Sequence, residues 1–245
     1  MRLIALLLVV GGTARAGERE TAFATHLGLA ETVVHDVAGF QLPGGDLTHV
    51  LVGRYEYGKS AMTAAVLMKC DDRTCEGRRA EFGTADQIDV LGIVDLQGTP
   101  GPLPSRPLRR NPSGYEKIRG DKMKFPVLVL QTTESKDAAG TTRSGRKVSG
   151  RETRTRLYVI SLVEADRGSV VLMDTSDEHY ATGAGTTRTY RLDKGESKTS
   201  LDLIAKEQRH LDRDSKCIEP EPIEAVFSLE EHHYRTKSYA PRSGC

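Results

Sequence analysis

Tryptophan is absent from this sequence, and five phenylalanines and eight tyrosines are all the aromatic mass it carries. A core must therefore be assembled mostly from Val, Leu and Ile, and the polar balance of 38% hydrophobic against 28% charged residues makes it a thin one. An excess of charge of either sign is also missing, with 35 Lys and Arg set against 34 Asp and Glu. Such a balance gives no long-range attraction to a polyanion, which excludes nucleic acid as an expected partner. No apolar run approaches the ~20 residues of a membrane-spanning helix. Cysteine is scarce as well, with four in the whole chain.

The longest apolar run, residues 3–10, lies next to the N-terminus behind Arg2 and is broken by Gly11 and Gly12. It ends in Ala14-Arg15-Ala16, with small side chains at the two positions that a signal peptidase accommodates. Residues 1–16 are thus expected to be a signal peptide, cleaved before Gly17. No cysteine follows closely, so lipid attachment has no acceptor thiol. The mature chain is expected to be soluble, periplasmic or extracellular, and free of membrane insertion. Loss of Arg2 and Arg15 leaves 33 basic and 34 acidic residues, a formal charge of −1.

Four cysteines in an oxidising compartment read as disulfides. Cys70 and Cys75 flank the short polar stretch Asp71-Asp72-Arg73-Thr74, where a hairpin brings two Cα atoms within bonding range. Cys217 and Cys245 then pair by default, tying down a terminus that would otherwise fray. A zinc site made by all four is disfavoured, because Cys217 and Cys245 each lack a close second ligand.

Beyond Gly17, apolar residues Phe23, Leu27 and Ala30 fall at helical spacing, predicting a short N-terminal helix before a strand over 31–42. Pro43-Gly44-Gly45-Asp46 is a turn by composition. Short runs rich in β-branched and apolar residues then predict strands over 48–57, 62–69, 77–82 and 88–96, followed by 125–132, 154–163, 169–175, 188–192, 223–229 and 233–239. The alternation in 188–192 suits an edge strand, and 201–207 reads equally as strand or helix. Between them, 98–112 carries five prolines and cannot be regular helix or central strand. The expectation is an all-β protein of antiparallel meander sheets forming a sandwich, barrel or propeller-like sheet. Its first unit is 17–98, its Pro-rich connection 99–124 and its second unit 125–245. The polar stretch 134–152 is expected to be an exposed hairpin loop that trypsin cuts first.

Motifs for chemistry are sparse. The seven histidines are scattered except for His232-His233, and adjacent residues of a strand face opposite sides, so the pair cannot chelate one metal. No His-Glu-x-x-His spacing or Gly-x-Ser-x-Gly elbow is present, and Gly58-Lys59-Ser60 lacks the earlier glycine of a phosphate loop. The densest polar group is Asp174, Asp177, Glu178 and His179, a candidate acid–base or cation site. The basic residues Arg143, Arg146, Lys147, Arg151, Arg154 and Arg156 have no aromatics interleaved for base stacking and read as a solvated hairpin.

The phrase from Ile88 through Asp95, Gln97 and Thr99 to Pro100 resembles a worn FG-GAP or VCBS type of β-repeat, in which a strand runs into an Asp-rich loop. A fainter echo runs from Tyr190 through Asp193 and Glu196 to Ile204. The resemblance implies an exported β-repeat protein. Intact members hold calcium through several loop carboxylates, but the first loop here keeps only Asp95, so calcium is not carried over and no cofactor is expected. The reading is an exported, non-enzymatic protein with a binding or structural role. The alternative is an exported hydrolase whose site is assembled from residues distant in sequence.

Overall fold

A computed structural model describes residues 16–43, 47–71, 74–111, 114–119, 123–163, 171–195, 200–230 and 233–238. The protein is all-β, with one short N-terminal helix. Helix α1 (Ala16–Leu27) precedes strands β1 (Val34–Gln41), β2 (His49–Tyr57), β3 (Ser60–Cys70), β4 (Cys75–Thr84), β5 (Gln87–Asp95), β6 (Gly101–Pro102) and β7 (Tyr115–Lys117). Strands β8 (Pro126–Thr141), β9 (Lys147–Ser161), β10 (Val171–His179), β11 (Gly185–Asp193), β12 (Asp202–His210), β13 (Ile223–Glu230) and β14 (His233–Ser238) complete it. No helix among the described residues is long and apolar enough to cross a membrane. The signal segment expected at 1–16 lies outside the described residues apart from Ala16.

Helix α1 ends at Gly28, whose φ of 71° is in the left-handed region. The Gly28 N–H bonds to the Thr25 carbonyl and the Leu29 N–H to that of Ala24, which satisfies two of the last four carbonyls of the helix. Its apolar face, with Phe23 and Leu27, packs on Leu51, Tyr55, Ala64, Val66 and Met68. The opposite faces of the same strands carry Val50, Val52, Ala65 and Leu67 into a second core. Burial on both faces explains why β2 and β3 read as nearly continuous apolar runs rather than alternating ones.

The strand order β4-β3-β2-β1-β7 forms one sheet, with β7 parallel to β1. A second sheet runs β14-β13-β12-β11-β10-β9-β8-β5, with β6 paired to β11. Ile88, Val90, Leu128, Leu130, Tyr158 and Ile160 of this sheet meet the first in one shared core. Tyr158 marks the join, donating its hydroxyl to the Phe82 carbonyl at 3.1 Å while its ring lies 4.6 Å from that of Phe82. The other face of β8 and β9 is also buried, because the sheet curls: Val127, Val129, Leu157 and Val159 face Leu192, Leu201 and Leu203 of the β11–β12 region, and β14 returns towards β10.

Two expectations about the segments between strands differ from the structure. The Pro-rich segment is not a seam between two sheets. Strand β5, in the first expected unit, pairs with β8 of the second, and β7, inside the expected connection 99–124, pairs with β1. Proline removes donors but leaves those of its neighbours, so Leu103 N–H bonds to Tyr190, Leu108 N–H to Val90, and the segment straps the molecule. Buried Arg19 fastens it to α1 through the carbonyls of Asn111 and Gly114, both at 2.9 Å.

Nor is 134–152 a loop. Strands β8 and β9 stay paired from Val127↔Ser161 to Thr141↔Lys147. Their charged residues face one another, as Glu134 opposite Arg154 and Lys136 opposite Glu152 at 3.5 Å, so the polarity that suggests a loop in sequence is a cross-strand ladder in space. Only 142–146 turns, and that turn is docked. Thr142 and Ser144 each donate a hydroxyl to Asp214 at 2.7 Å, and the Arg143 N–H bonds to Asp212 at 2.9 Å.

Candidate functional site

Strands β10 and β11 are joined by a tight turn, in which Tyr180 N–H bonds to the Ala184 carbonyl at 2.8 Å, and they pair at one position, His179↔Gly185. Glycine is required there, because a Cβ at Gly185 would collide with the Glu178 carbonyl. Beyond that point the strands separate. The Arg188 N–H, which would otherwise bond to β10, goes instead to the Asp177 carboxylate at 2.9 Å, and the Ser176 carbonyl accepts from the Arg188 guanidinium. A side chain thus takes the place of a strand partner for one N–H of β11 and one carbonyl of β10. Farther along, β6 fills the space by pairing with Arg191 and Leu192. Strand β11 is thus interior to the sheet, between β12 on one side and β10 and β6 on the other, and not the edge strand expected for 188–192.

The gap opens into a cleft of ≈ 280 Å³. Its floor follows the registers of the sheet: Gln131, Leu157 and Thr175 lie side by side across β8, β9 and β10, and Thr155 lies beside Asp177. Buried Leu91, Leu103 and Leu157 supply its apolar base, while Pro102, Ser105 and Thr189 are exposed at the rim. Arg188 and Tyr190 form the far wall. The Tyr190 hydroxyl lies 2.6 Å from the Thr175 hydroxyl, and burial pushes its pKa up to about 12, so it stays protonated at any physiological pH.

The charges along this wall are matched. Arg188 reaches Asp177 at 2.7 Å and Glu207 at 2.6 Å, and Arg209 binds the other oxygen of Glu207 at 2.9 Å. Glu207 is buried, and its carboxylate is committed to two guanidinium groups.

Of the four residues singled out from sequence, Glu178 and His179 share a small pocket with Arg154 and Tyr180, but Asp174 and Asp177 do not join them. Alternation along β10 sends Asp174 and Glu178 to one face and Asp177 to the other. Asp174 is exposed, and Glu178 binds Arg154 at 3.2 Å and the Tyr180 hydroxyl. Asp177 enters the cleft wall, and His179 ends the strand with its ring 6.0 Å from that of His210. No group of three metal-ligating side chains occurs among the described residues. Within the basic run, Arg151 lies opposite Asp137, and Arg154 lies between Glu134 on β8 and Glu178 on β10. Sequence reasoning missed Arg188, Tyr190 and Glu207. Their one legible signal was the alternation of 188–192, which put Arg188 and Tyr190 on a common face.

Cys70 and Cys75 are bonded across the β3–β4 hairpin at directly opposed positions. The other expected pair has one member, Cys245, outside the described residues, as do His232 and Glu196. Asp95 serves the chain itself. Its carboxylate accepts the N–H groups of Gln97, Lys124 and Phe125 at 2.9 to 3.0 Å. Burial works against its charge, but these backbone bonds outweigh that and hold its pKa below the ordinary aspartate range.

Comparison with protein-family models, with curated proteins and with solved structures finds no match to this chain. The likeness to FG-GAP or VCBS repeats rests on the two phrases alone, of which the first becomes β5 and its turn and the second β11 leading to β12.

Proposed function

We propose that the chain is exported, loses residues 1–16, and works outside the cytoplasmic membrane as a soluble, non-enzymatic binding protein. The observation that carries the binding role is the cleft between β10 and β11, where Asp177 and Arg188 hold two strands apart over an apolar base. Strands joined by a tight turn zip up unless something prevents it, and a concave apolar site with a few converging polar groups is the usual form of a ligand site. The commitment of Asp177, the carboxylate lining the cleft, to Arg188 argues against acid–base catalysis there. An oxidised Cys70–Cys75 bond fits an oxidising compartment. The test is expression of the full sequence in a bacterial host with fractionation and N-terminal sequencing. A soluble periplasmic product beginning at Gly17 is expected. Cytoplasmic retention with Met1 or Arg2 at the N-terminus would overturn export, and turnover of ester, glycoside or peptide substrates, lost in Asp177→Ala, would overturn the non-enzymatic reading.

A further inference from the structure

The charge state of the cleft says what it can hold. Asp177 and Arg188 are the two charged residues along its lining, and they bind each other. A guanidinium has five N–H bonds. In Arg188 one is taken by Asp177, one by the Ser176 carbonyl and two by Glu207, leaving little to offer an incoming anion. The carboxylates are likewise satisfied, Asp177 by the Arg188 N–H and guanidinium, Glu207 by Arg188 and Arg209. An ionic ligand entering here would lose water without gaining a counter-charge, which is strongly unfavourable.

What the cleft does offer is uncharged. Gln131 presents an amide on the floor, in register with Leu157 and Thr175. The Tyr190 and Thr175 hydroxyls bond to one another, and such a pair uses one of its two protons internally and keeps the second to donate. Leu91, Leu103 and Leu157 form the apolar base beside them. The space of ≈ 280 Å³ is enough for a compact molecule.

We infer that this cleft binds a small neutral molecule with an apolar body, seated on Leu91, Leu103 and Leu157, and one uncharged hydrogen-bonding end directed to Gln131 and the Tyr190–Thr175 hydroxyl pair. The inference rests on the binding role proposed above and narrows it to a ligand class. Asp177 is the residue that sets the charge preference, by neutralising Arg188.

The experiment is an NMR titration of the 15N-labelled protein with three probes of equal length: 1-hexanol, hexanoate and hexylammonium. Saturable shifts at Leu91, Leu157 and Thr175 are expected with 1-hexanol, and about ten-fold weaker binding of both ions, a difference of about 1.4 kcal/mol. Thr175→Val should weaken 1-hexanol several-fold, since it removes one hydroxyl of the pair at constant shape. Asp177→Asn, which keeps an acceptor for the Arg188 N–H but frees one positive charge, should reverse the order and favour hexanoate. Circular dichroism of both variants checks that each is folded. If hexanoate or hexylammonium binds the unaltered protein as well as 1-hexanol, the neutral-ligand inference fails while the cleft remains a binding site. If none of the three gives saturable shifts in the cleft, the binding role itself fails.

Discussion

Replacing Asp95 by alanine would leave the N–H groups of Gln97, Lys124 and Phe125 without their shared acceptor. Two of these lie at the surface and can turn to water, so the cost should be about 1 to 2 kcal/mol in urea unfolding. The folded pKa of Asp95 lies below that of the unfolded chain, so its contribution is present above about pH 4 and disappears as the pH falls through the folded value. Asp95→Ala should therefore narrow the loss of stability in acid, and an unchanged acid limb would refute the assignment. Glu207 is the opposite kind of residue. It is 3% exposed, and its removal takes from Arg188 one of its two carboxylate partners and breaks the bond from Arg209. Glu207→Ala should cost about 3 kcal/mol, and Glu207→Gln clearly less, because the amide keeps an acceptor. Equal losses by chemical denaturation would mean that the hydrogen bonds there contribute nothing.

The hairpin of β8 and β9 has strands of 16 and 15 residues and owes its length to cross-strand pairing rather than to a core. Its tip is held by Asp212 and Asp214, and the hydroxyls of Ser144 and Thr142 hold the Asp214 carboxyl below its usual range. Trypsin should cut slowly after Arg143 and Arg146 at neutral pH, despite their exposed side chains, because the backbone there is hydrogen-bonded on both sides of the turn. Changing both Asp212 and Asp214 to Ala should speed cleavage severalfold. Rapid cutting of the unaltered protein would restore the picture of a free loop. At the β3–β4 hairpin, the Cys70–Cys75 bond closes a ring of a few residues, so changing both to Ala should cost about 2 kcal/mol. A Cys217–Cys245 bond would close about 27 residues and contribute more, about 3 kcal/mol, and non-reducing peptide mapping checks that pairing.

Because Phe82, Ala65 and Val52 of one sheet share a core with Leu128, Tyr158 and Ile160 of the other, and Arg19 ties the helix to the strap, the molecule should unfold as one cooperative unit. Near-UV and far-UV circular dichroism should trace a single transition, and two separated transitions would make the sheets independent. The sequence by itself determined the element type almost throughout, since β-branched runs bounded by Gly, Pro and Asp turns act locally: 62–69, 88–96 and 223–229 became β3, β5 and β13, and Phe23 and Leu27 lay on the predicted helix. The same locality determined the Cys70–Cys75 bond, which spans a hairpin. Pairing between distant strands was decided only in three dimensions, because backbone hydrogen bonds carry no side-chain code. Nothing in 88–96 announces β8 as its neighbour, and nothing in a stretch rich in proline announces a strap. The charges of 134–152 looked like solvent exposure until opposite strands matched them. The cleft was least legible of all: Asp177, Arg188, Glu207 and Tyr190 sit on three strands, and what brings them together is the parting of β10 from β11 after a single pair, a property of the sheet's curl and of Gly185 rather than of any motif.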